Sequence, residues 1–350
     1  MGRQDVGDLE ALRRRLEGWL ERALAERPGL EIPELRFPET SGESSVTLLI
    51  GARWPDGGTR RFALRMVPPR SEVFESHDLR MQYQMMQVMH AEGIPAPPLL
   101  GYEPDASLLG SEFYVMGFVE GRIPPDIPPM ALAGWVKDEL DASERAAMWA
   151  NGLETLAAIH RIDTRRHDLG RLPRAGPGEP AVAAELRKWD SMFKPGLRRE
   201  APPGLVPAWE YLMAQPPDSE QVGLCWGDSR VGNVIWRELR PVAVIDWEMA
   251  NLADPLSDVT WWVWVDRCAS LGLGVPPLAG VPEPAEVYER WRERTGASLR
   301  HLAWFELFTV ARFAIVLERK LEARRRAGAP LVPNFAAPFL PDLLDAARRD

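Results

Sequence analysis

Residues 224–247 read LCWGDSRVGNVIWRELRPVAVIDW, and the organisation of the whole chain follows from this stretch. Two short apolar runs, 222–225 and 242–245, each deliver a carboxylate: Asp228 follows the first and Asp246 ends the second. Asn233 opens a third run, 234–236, and a charged turn at 237–240, closed by Pro241, reverses the chain. Val and Ile favour strands whereas Asp and Asn do not. Three oxygen-bearing side chains at strand edges are therefore placed for chemistry rather than for sheet stability.

The spacing narrows the chemistry. Asp-x-x-x-x-Asn, followed by an Asp after a buried run, is the pattern of a protein-kinase catalytic loop. Phosphoryl transfer needs a base beside the acceptor oxygen and oxygen ligands for a hard cation. The stretch resembles the aminoglycoside phosphotransferase and choline kinase family, whose signature is His-Gly-Asp, four residues, Asn, then Ile-Asp-Trp or Ile-Asp-Phe. Residues 248–258, EMANLADPLSD, resemble in particular the kinase-like domains attached to some acyl-CoA dehydrogenases. The resemblance covers roughly residues 35–345. One position departs from it: the signature His is Trp226. In the family that His braces the loop and is not the base, so Asp228 keeps its expected role and the bracing is the open point.

The resemblance implies an α+β, two-lobed protein-kinase-like fold with a small β-rich N-lobe and a large, mainly helical C-lobe. Residues 1–118 would form an N-terminal helix and the nucleotide-binding lobe, and 119–350 the lobe with the catalytic loop and acceptor site. It also implies ATP, or GTP, as donor and Mg²⁺ as cofactor. Asp228 would orient and deprotonate an acceptor hydroxyl, with Mg²⁺ held by Asn233 and Asp246. Arg230, two residues beyond the base, would neutralise the transferred group or bind an anionic acceptor; a plain surface charge is the alternative.

Bulk properties agree with an ordinary globular protein. The chain has 350 residues, enough for two lobes, with 45% hydrophobic and 27% charged residues. A formal charge of −9 argues against nucleic acid, and no apolar run approaches membrane-spanning length. Cys225 and Cys268 are the only cysteines, which suits a reducing, cytoplasmic setting better than a disulfide framework. The prolines gather at 95–98, 124–129, 202–207, 276–284 and 328–341, as rigid connections. Nothing in the sequence speaks to oligomeric state.

Along the chain, Leu9, Leu12, Leu16, Trp19, Leu20 and Leu24 predict a helix over 8–26. Strands follow at 46–50 and 62–67, and the polar TSGESS before the first puts Ser44 and Ser45 where a phosphate-covering loop would lie. The second strand ends ALRM; no Lys precedes Lys137, so Arg65 stands where kinases place their phosphate-contacting Lys. A helix over 72–91 puts Gln82 where the family expects a Glu, able to accept a bond from Arg65. The run 112–118, EFYVMGF, ends at the expected hinge, with Met116 and Phe118 as backbone partners of adenine. Asp141 and Glu144 form a capping box opening a helix through His160. Further helices are expected at 181–193, 205–214, from about 256, at 284–295 and at 298–327, with Asp258 in a first turn supporting the catalytic loop.

The expected activity is ATP-dependent transfer of a phosphoryl group to a hydroxyl of a small molecule. Aromatic residues such as Trp261, Trp262, Trp264, Trp304, Phe305 and Phe308 lean the acceptor toward an apolar hydroxylated compound, an acyl derivative among the options. The substitutions Trp226, Arg65 and Gln82 motivate the alternative, a catalytically weak nucleotide-binding regulatory protein. A metal-dependent hydrolase fits poorly, since the five histidines are scattered singly.

Overall fold

The computed structural model describes residues 9–24, 28–38, 46–67, 78–219 and 221–350. The chain divides into two compact units: Met1–Ala91 with Ala96–Glu120, and Glu92–Pro95 with Gly121–Asp350.

In the first unit, α1 (Leu9–Leu24) precedes β1 (Glu31–Arg36), β2 (Val46–Arg53), β3 (Thr59–Met66), α2 (Leu79–Ala91), β4 (Leu99–Glu103) and β5 (Phe113–Gly117). The strands form one antiparallel sheet in the order β1-β2-β3-β5-β4. Period-two alternation along β2 sends Val46, Leu48, Ile50 and Ala52 inward. They meet Leu12, Leu16, Trp19 and Leu20 of the α1 stripe in one core cluster, and Trp19 packs edge-on to Phe113 at 5.2 Å. β1 was not foreseen. Its sequence EIPELR buries only Ile32 and Leu35 and carries a proline, which suits the sheet edge it occupies.

The second unit is mainly helical. It contains α3 (Trp135–Asp138), α4 (Ala142–His160), α5 (Ala183–Met192), α6 (Pro195–Glu200), α7 (Leu205–Ala214), α8 (Leu256–Leu271), α9 (Pro284–Thr295), α10 (Leu302–Arg326) and α11 (Leu340–Ala347). Two small antiparallel ladders are set among them: β6 (Gly223–Cys225) with β9 (Asn251–Ala253), and β7 (Val234–Arg237) with β8 (Arg240–Val244). The expected capping box at Asp141 and Glu144 opens α4, with both reciprocal bonds present. Helix α10 packs on α7, α8 and α11, and α4 on α9. Gly152 of α4 is the price of one close approach: a Cβ there would lie 2.4 Å from the Trp262 ring of α8.

The fold is the α+β kinase-like one that the sequence predicts, a β-sheet region followed by a helical one. Among the described residues, no helix is long and apolar enough to cross a membrane. Both cysteines are buried and free.

Candidate active site

Two β-ladders and the start of α8 present the quoted stretch. Cys225 pairs with Asn251 at the end of β6, and the chain then turns through Gly227 at φ +89°. A side chain at 227 is excluded twice over, since a Cβ would also sit 2.2 Å from the Met249 carbonyl oxygen. A 3₁₀ turn, Val231–Asn233, leads into β7. The β7–β8 hairpin closes through Glu238 and Leu239, both at positive φ, as a two-residue hairpin turn requires.

Asp258, in the first turn of α8, holds the start of the loop. Its carboxylate accepts the Trp226 N–H at 2.6 Å and the Gly227 N–H at 2.9 Å, and its carbonyl oxygen accepts the Ser229 hydroxyl at 2.7 Å. His160 donates to the same carboxylate at 3.2 Å. The donor-only indole N–H of Trp291 points at His160 Nδ1 at 2.8 Å, which puts the imidazole proton on Nε2.

Trp226 braces the loop where the family's His would. Its indole N–H donates to the carbonyl oxygens of Ile245, at 2.9 Å, and Asp246, at 3.2 Å. The side chain is buried against Trp247 as well, so packing and bracing are combined.

Asp228 is surrounded by donors. Trp261 Nε1 gives a bond to Oδ1 at 2.7 Å, Asn233 Nδ2 one to Oδ2 at 2.6 Å, and Arg230 Nε a longer one to Oδ2 at 3.3 Å. A carboxylate offers roughly four lone-pair directions, so one remains beyond these three donors. Asn233 Nδ2 also donates to the Asp228 carbonyl oxygen at 2.9 Å, which commits the amide nitrogen and leaves the amide oxygen as the side chain's remaining polar atom. The Ile245 N–H donates to the Asn233 carbonyl oxygen at 3.0 Å, bringing Asn233 beside the residue that precedes Asp246. Asp246 itself has φ +64°, a left-handed conformation that Asp tolerates better than most residues. Asp228, Arg230, Asn233 and Asp246 thus lie in one neighbourhood.

Arg230 does not stand free. It forms a two-pronged pair with Asp126, Nη2 to Oδ2 at 2.9 Å and Nη1 to Oδ1, in addition to its contact with Asp228. Burial opposes its charge, but the two carboxylates hold the guanidinium protonated well above its ordinary range. Burial likewise opposes the charge on Asp126, and Arg230 nevertheless lowers its pKa. Gly232 makes room for the pair: a Cβ there would lie 2.5 Å from Arg230 Nη1.

Three residues near this loop carry no signal in a short sequence window. Asp126 sits in a Pro-rich segment that reads as a connection. Trp261 reads as core, yet its indole bonds Asp228, and the buried Arg312 guanidinium lies 4.8 Å from the centre of its ring. Asp266, five residues further along α8, has its carboxyl pushed up to about 7, first by burial and then by Asp126 and Asp228, with Arg230 acting the other way. The residue is half-buried overall, but its Oδ2 is enclosed and has no hydrogen-bond partner among the described residues.

The predicted nucleotide residues lie in the first unit. Ser44 and Ser45 fall outside the described residues. Arg65 is buried on β3, opposite Tyr114 in the sheet. Gln82 is also buried, and its Oε1 receives the Tyr114 hydroxyl at 3.4 Å. The amide oxygen that the sequence offers to Arg65 thus takes a hydroxyl donor from β5. At the expected hinge, Met116 pairs with Ala63. The N–H groups of Gly117 and Phe118 go to the carbonyls of Pro98, at 2.7 Å, and Arg61, at 3.0 Å. The Phe118 ring lies under the Arg61 guanidinium at 3.8 Å.

Comparison with known proteins gives this geometry a context. The model of the phosphotransferase enzyme family matches residues 41–302. Acyl-CoA dehydrogenase family member 11 of Rattus norvegicus is 29% identical over 265 residues, 73% of this chain and 32% of the relative. The chain thus spans about a third of the length of that relative. Among solved structures, a candidate aminoglycoside phosphotransferase from Ralstonia eutropha superposes with a TM-score of 0.68 at 20% identity, covering 98% of this chain and 97% of that one. The GDP complex of aminoglycoside 2'-phosphotransferase-IIIa gives a TM-score of 0.58 at 11% identity, covering 96% and 97%. These two likenesses concern the fold.

Proposed function

Since the chain belongs to the phosphotransferase enzyme family, we propose that it transfers the γ-phosphoryl group of ATP to a hydroxyl of a small molecule, with Asp228 as the base. The carrying observation is the meeting of Asp228 and Asn233 through a 2.6 Å bond, with Ile245, the residue before Asp246, tied to Asn233.

In this reading the acceptor hydroxyl takes the remaining acceptor direction of Asp228 and gives up its proton there. Its oxygen then bonds to the γ-phosphorus as the bond to the nucleoside diphosphate breaks. Trp261 and Asn233 fix the carboxylate so that its orientation does not have to be found anew in each turnover. Asn233 and Asp246 supply hard oxygen donors that suit Mg²⁺, and the amide oxygen of Asn233, which its two bonds to Asp228 do not use, fits that role. The cation, when bound, draws charge from the phosphate oxygens. Arg65 supplies positive charge on the nucleotide side, with Ser44 and Ser45 as phosphate donors. Gln82 acts by holding Tyr114 behind Arg65.

Adenine binding belongs to Met116, Phe118 and the residue after them. Because the Phe118 N–H is already given to Arg61, its carbonyl and the backbone of Val119 are the more available groups. The GDP bound in a structural neighbour makes GTP the second donor to try. Arg230, clamped between Asp126 and Asp228, shapes the loop rather than reaching for an acceptor.

The test is acceptor-dependent release of ADP or GDP with Mg²⁺ across a panel of hydroxyl compounds. Asp228→Ala is expected to lower kcat by at least about 100-fold, and Asp246→Ala to abolish the Mg²⁺ dependence. Nucleotide-dependent melting with no turnover across the panel would instead favour a regulatory nucleotide-binding protein.

A further inference from the structure

The Pro-rich segment that carries Asp126 is tied to the candidate active site at two points. Arg122 and Trp236 of β7 exchange backbone bonds, each N–H reaching the other's carbonyl oxygen at 2.8 Å. The approach is close enough to need Gly121, where a Cβ would lie 2.6 Å from Ile235 Cγ2 and 2.7 Å from the Trp236 carbonyl oxygen. The Trp236 indole N–H in turn donates to the Val231 carbonyl oxygen at 3.0 Å, inside the loop between Asp228 and Asn233. The second point is Asp126 itself, four residues after Arg122 and paired with Arg230. Segment and loop are thus held in one register, and the ion pair closes across them.

The geometry of the pair gives it a task. A guanidinium is rigid and planar, so two carboxylate oxygens on its Nη groups also set the direction of its Nε–H. Here that direction leads to Asp228 Oδ2 at 3.3 Å, longer than the 2.6 and 2.7 Å bonds that Asn233 and Trp261 make to the same carboxylate. Arg230 therefore touches Asp228 with one N–H while Asp126 retains its two-pronged end. Gly232 lets the pair sit tightly on the loop: a Cβ there would lie 2.5 Å from Arg230 Nη1 and 3.1 Å from Asp126 Oδ1. The Asp126 side chain is 52% exposed, so the pair contributes little to stability. Orientation is what it supplies.

We propose that Asp126 is a positioning residue: it holds the Arg230 guanidinium off the one acceptor direction of Asp228 that Trp261, Asn233 and the Arg230 Nε–H leave open. Without it, the guanidinium turns its Nη groups onto Asp228, forms the two-pronged pair there and takes the place of the acceptor hydroxyl. The proposal rests on the phosphotransferase reading above for Asp228 as the base, and on these contacts alone for the restraint.

The test has two readouts on the full chain. Asp126→Ala, with the isosteric Asp126→Asn in its place should the first fail to fold, is expected to lower kcat/KM for the acceptor about tenfold and to leave KM for ATP unchanged. The indole N–H of Trp261 reports on Asp228 without turnover. Its ¹H–¹⁵N signal, identified by its loss in Trp261→Phe, is expected to move in Asp126→Ala. Both changes should vanish when Asp126→Ala is made in an Arg230→Gln background, because Asp126 acts only through Arg230. Glu139→Gln breaks the pair that Arg122 of the same segment makes with Glu139, and is expected to leave the signal in place. A Trp261 signal that stays put in Asp126→Ala, that moves equally in the Arg230→Gln background, or that moves as far in Glu139→Gln overturns the proposal. So does an unchanged kcat/KM in an enzyme that turns over, and in that case the phosphotransferase reading stands. If the signal behaves as expected but no hydroxyl compound is phosphorylated, the restraint on Arg230 holds and that reading fails.

Discussion

Two consecutive stretches of helix α8 treat their polar atoms in opposite ways. From Asp258 to Trp261, every polar side chain reaches a partner: Asp258 takes two loop N–H groups and His160, Thr260 bonds the Leu256 carbonyl and Thr309, and Trp261 bonds Asp228. From Trp262 to Asp266, Trp264 bonds Glu306 at 3.0 Å, but the Trp262 indole N–H and the Asp266 Oδ2 are enclosed without partners among the described residues. The first stretch is complete as it stands and fixes a loop. The second leaves two polar atoms unpaired. A helix can therefore hold fully and incompletely paired stretches side by side, distinguished by hydrogen-bond accounting rather than by residue type.

The strongest way to break the contrast is to empty the first stretch. Asp258→Ala leaves the N–H groups of Trp226 and Gly227 and the His160 donor unpaired, and is expected to cost about 3–5 kcal/mol in urea unfolding. A cost below 1 kcal/mol would mean that the loop is held by packing alone. Next comes Asp266→Asn in the second stretch. The folded carboxyl titrates at about 7 against an ordinary 3.8, so it favours the native state while protonated. That contribution is present at low pH and is lost as pH rises from about 4 through about 7. The variant should therefore gain on the wild type by roughly 2–3 kcal/mol between pH 5 and pH 8, read as the change in denaturation midpoints. A pH-independent difference would contradict the raised value.

Smaller effects sharpen the comparison. Trp261→Phe removes the Asp228 bond but leaves a smaller aromatic ring beside Arg312, and should lower kcat about tenfold with KM little changed. A shift in KM alone would assign Trp261 to substrate binding. Trp226→Phe removes one indole donor shared by two carbonyls and should cost about 1 kcal/mol of stability; no loss would show that packing against Trp247 does the bracing.

What could be foreseen follows the range of the interactions. The grouping of residues 224–247 was legible because Asp228, Asn233 and Asp246 fall within nineteen positions, at spacings fixed by local turns. The α1 stripe, the capping box at Asp141 and the strands at β2 and β3 were legible for the same reason. β1 was not, since an edge strand with a proline and only two buried residues lacks a clear period. Nor could α8 reveal which tryptophan turns to Asp228, because most of its residues are buried and its pattern has little direction. Asp126 meets Arg230 through a contact made only in the folded chain, and burial there is what raises the Asp266 carboxyl.

Gly152 sets a limit on all of this. With a Cβ position 2.4 Å from the Trp262 ring and 2.9 Å from the Trp236 ring, it lets α4 lie against indoles from α8 and from the hairpin. A single added methyl would have to be absorbed by moving one ring or the other. Position 152 is thus a lever of one carbon on how closely α4 can approach α8 and the hairpin.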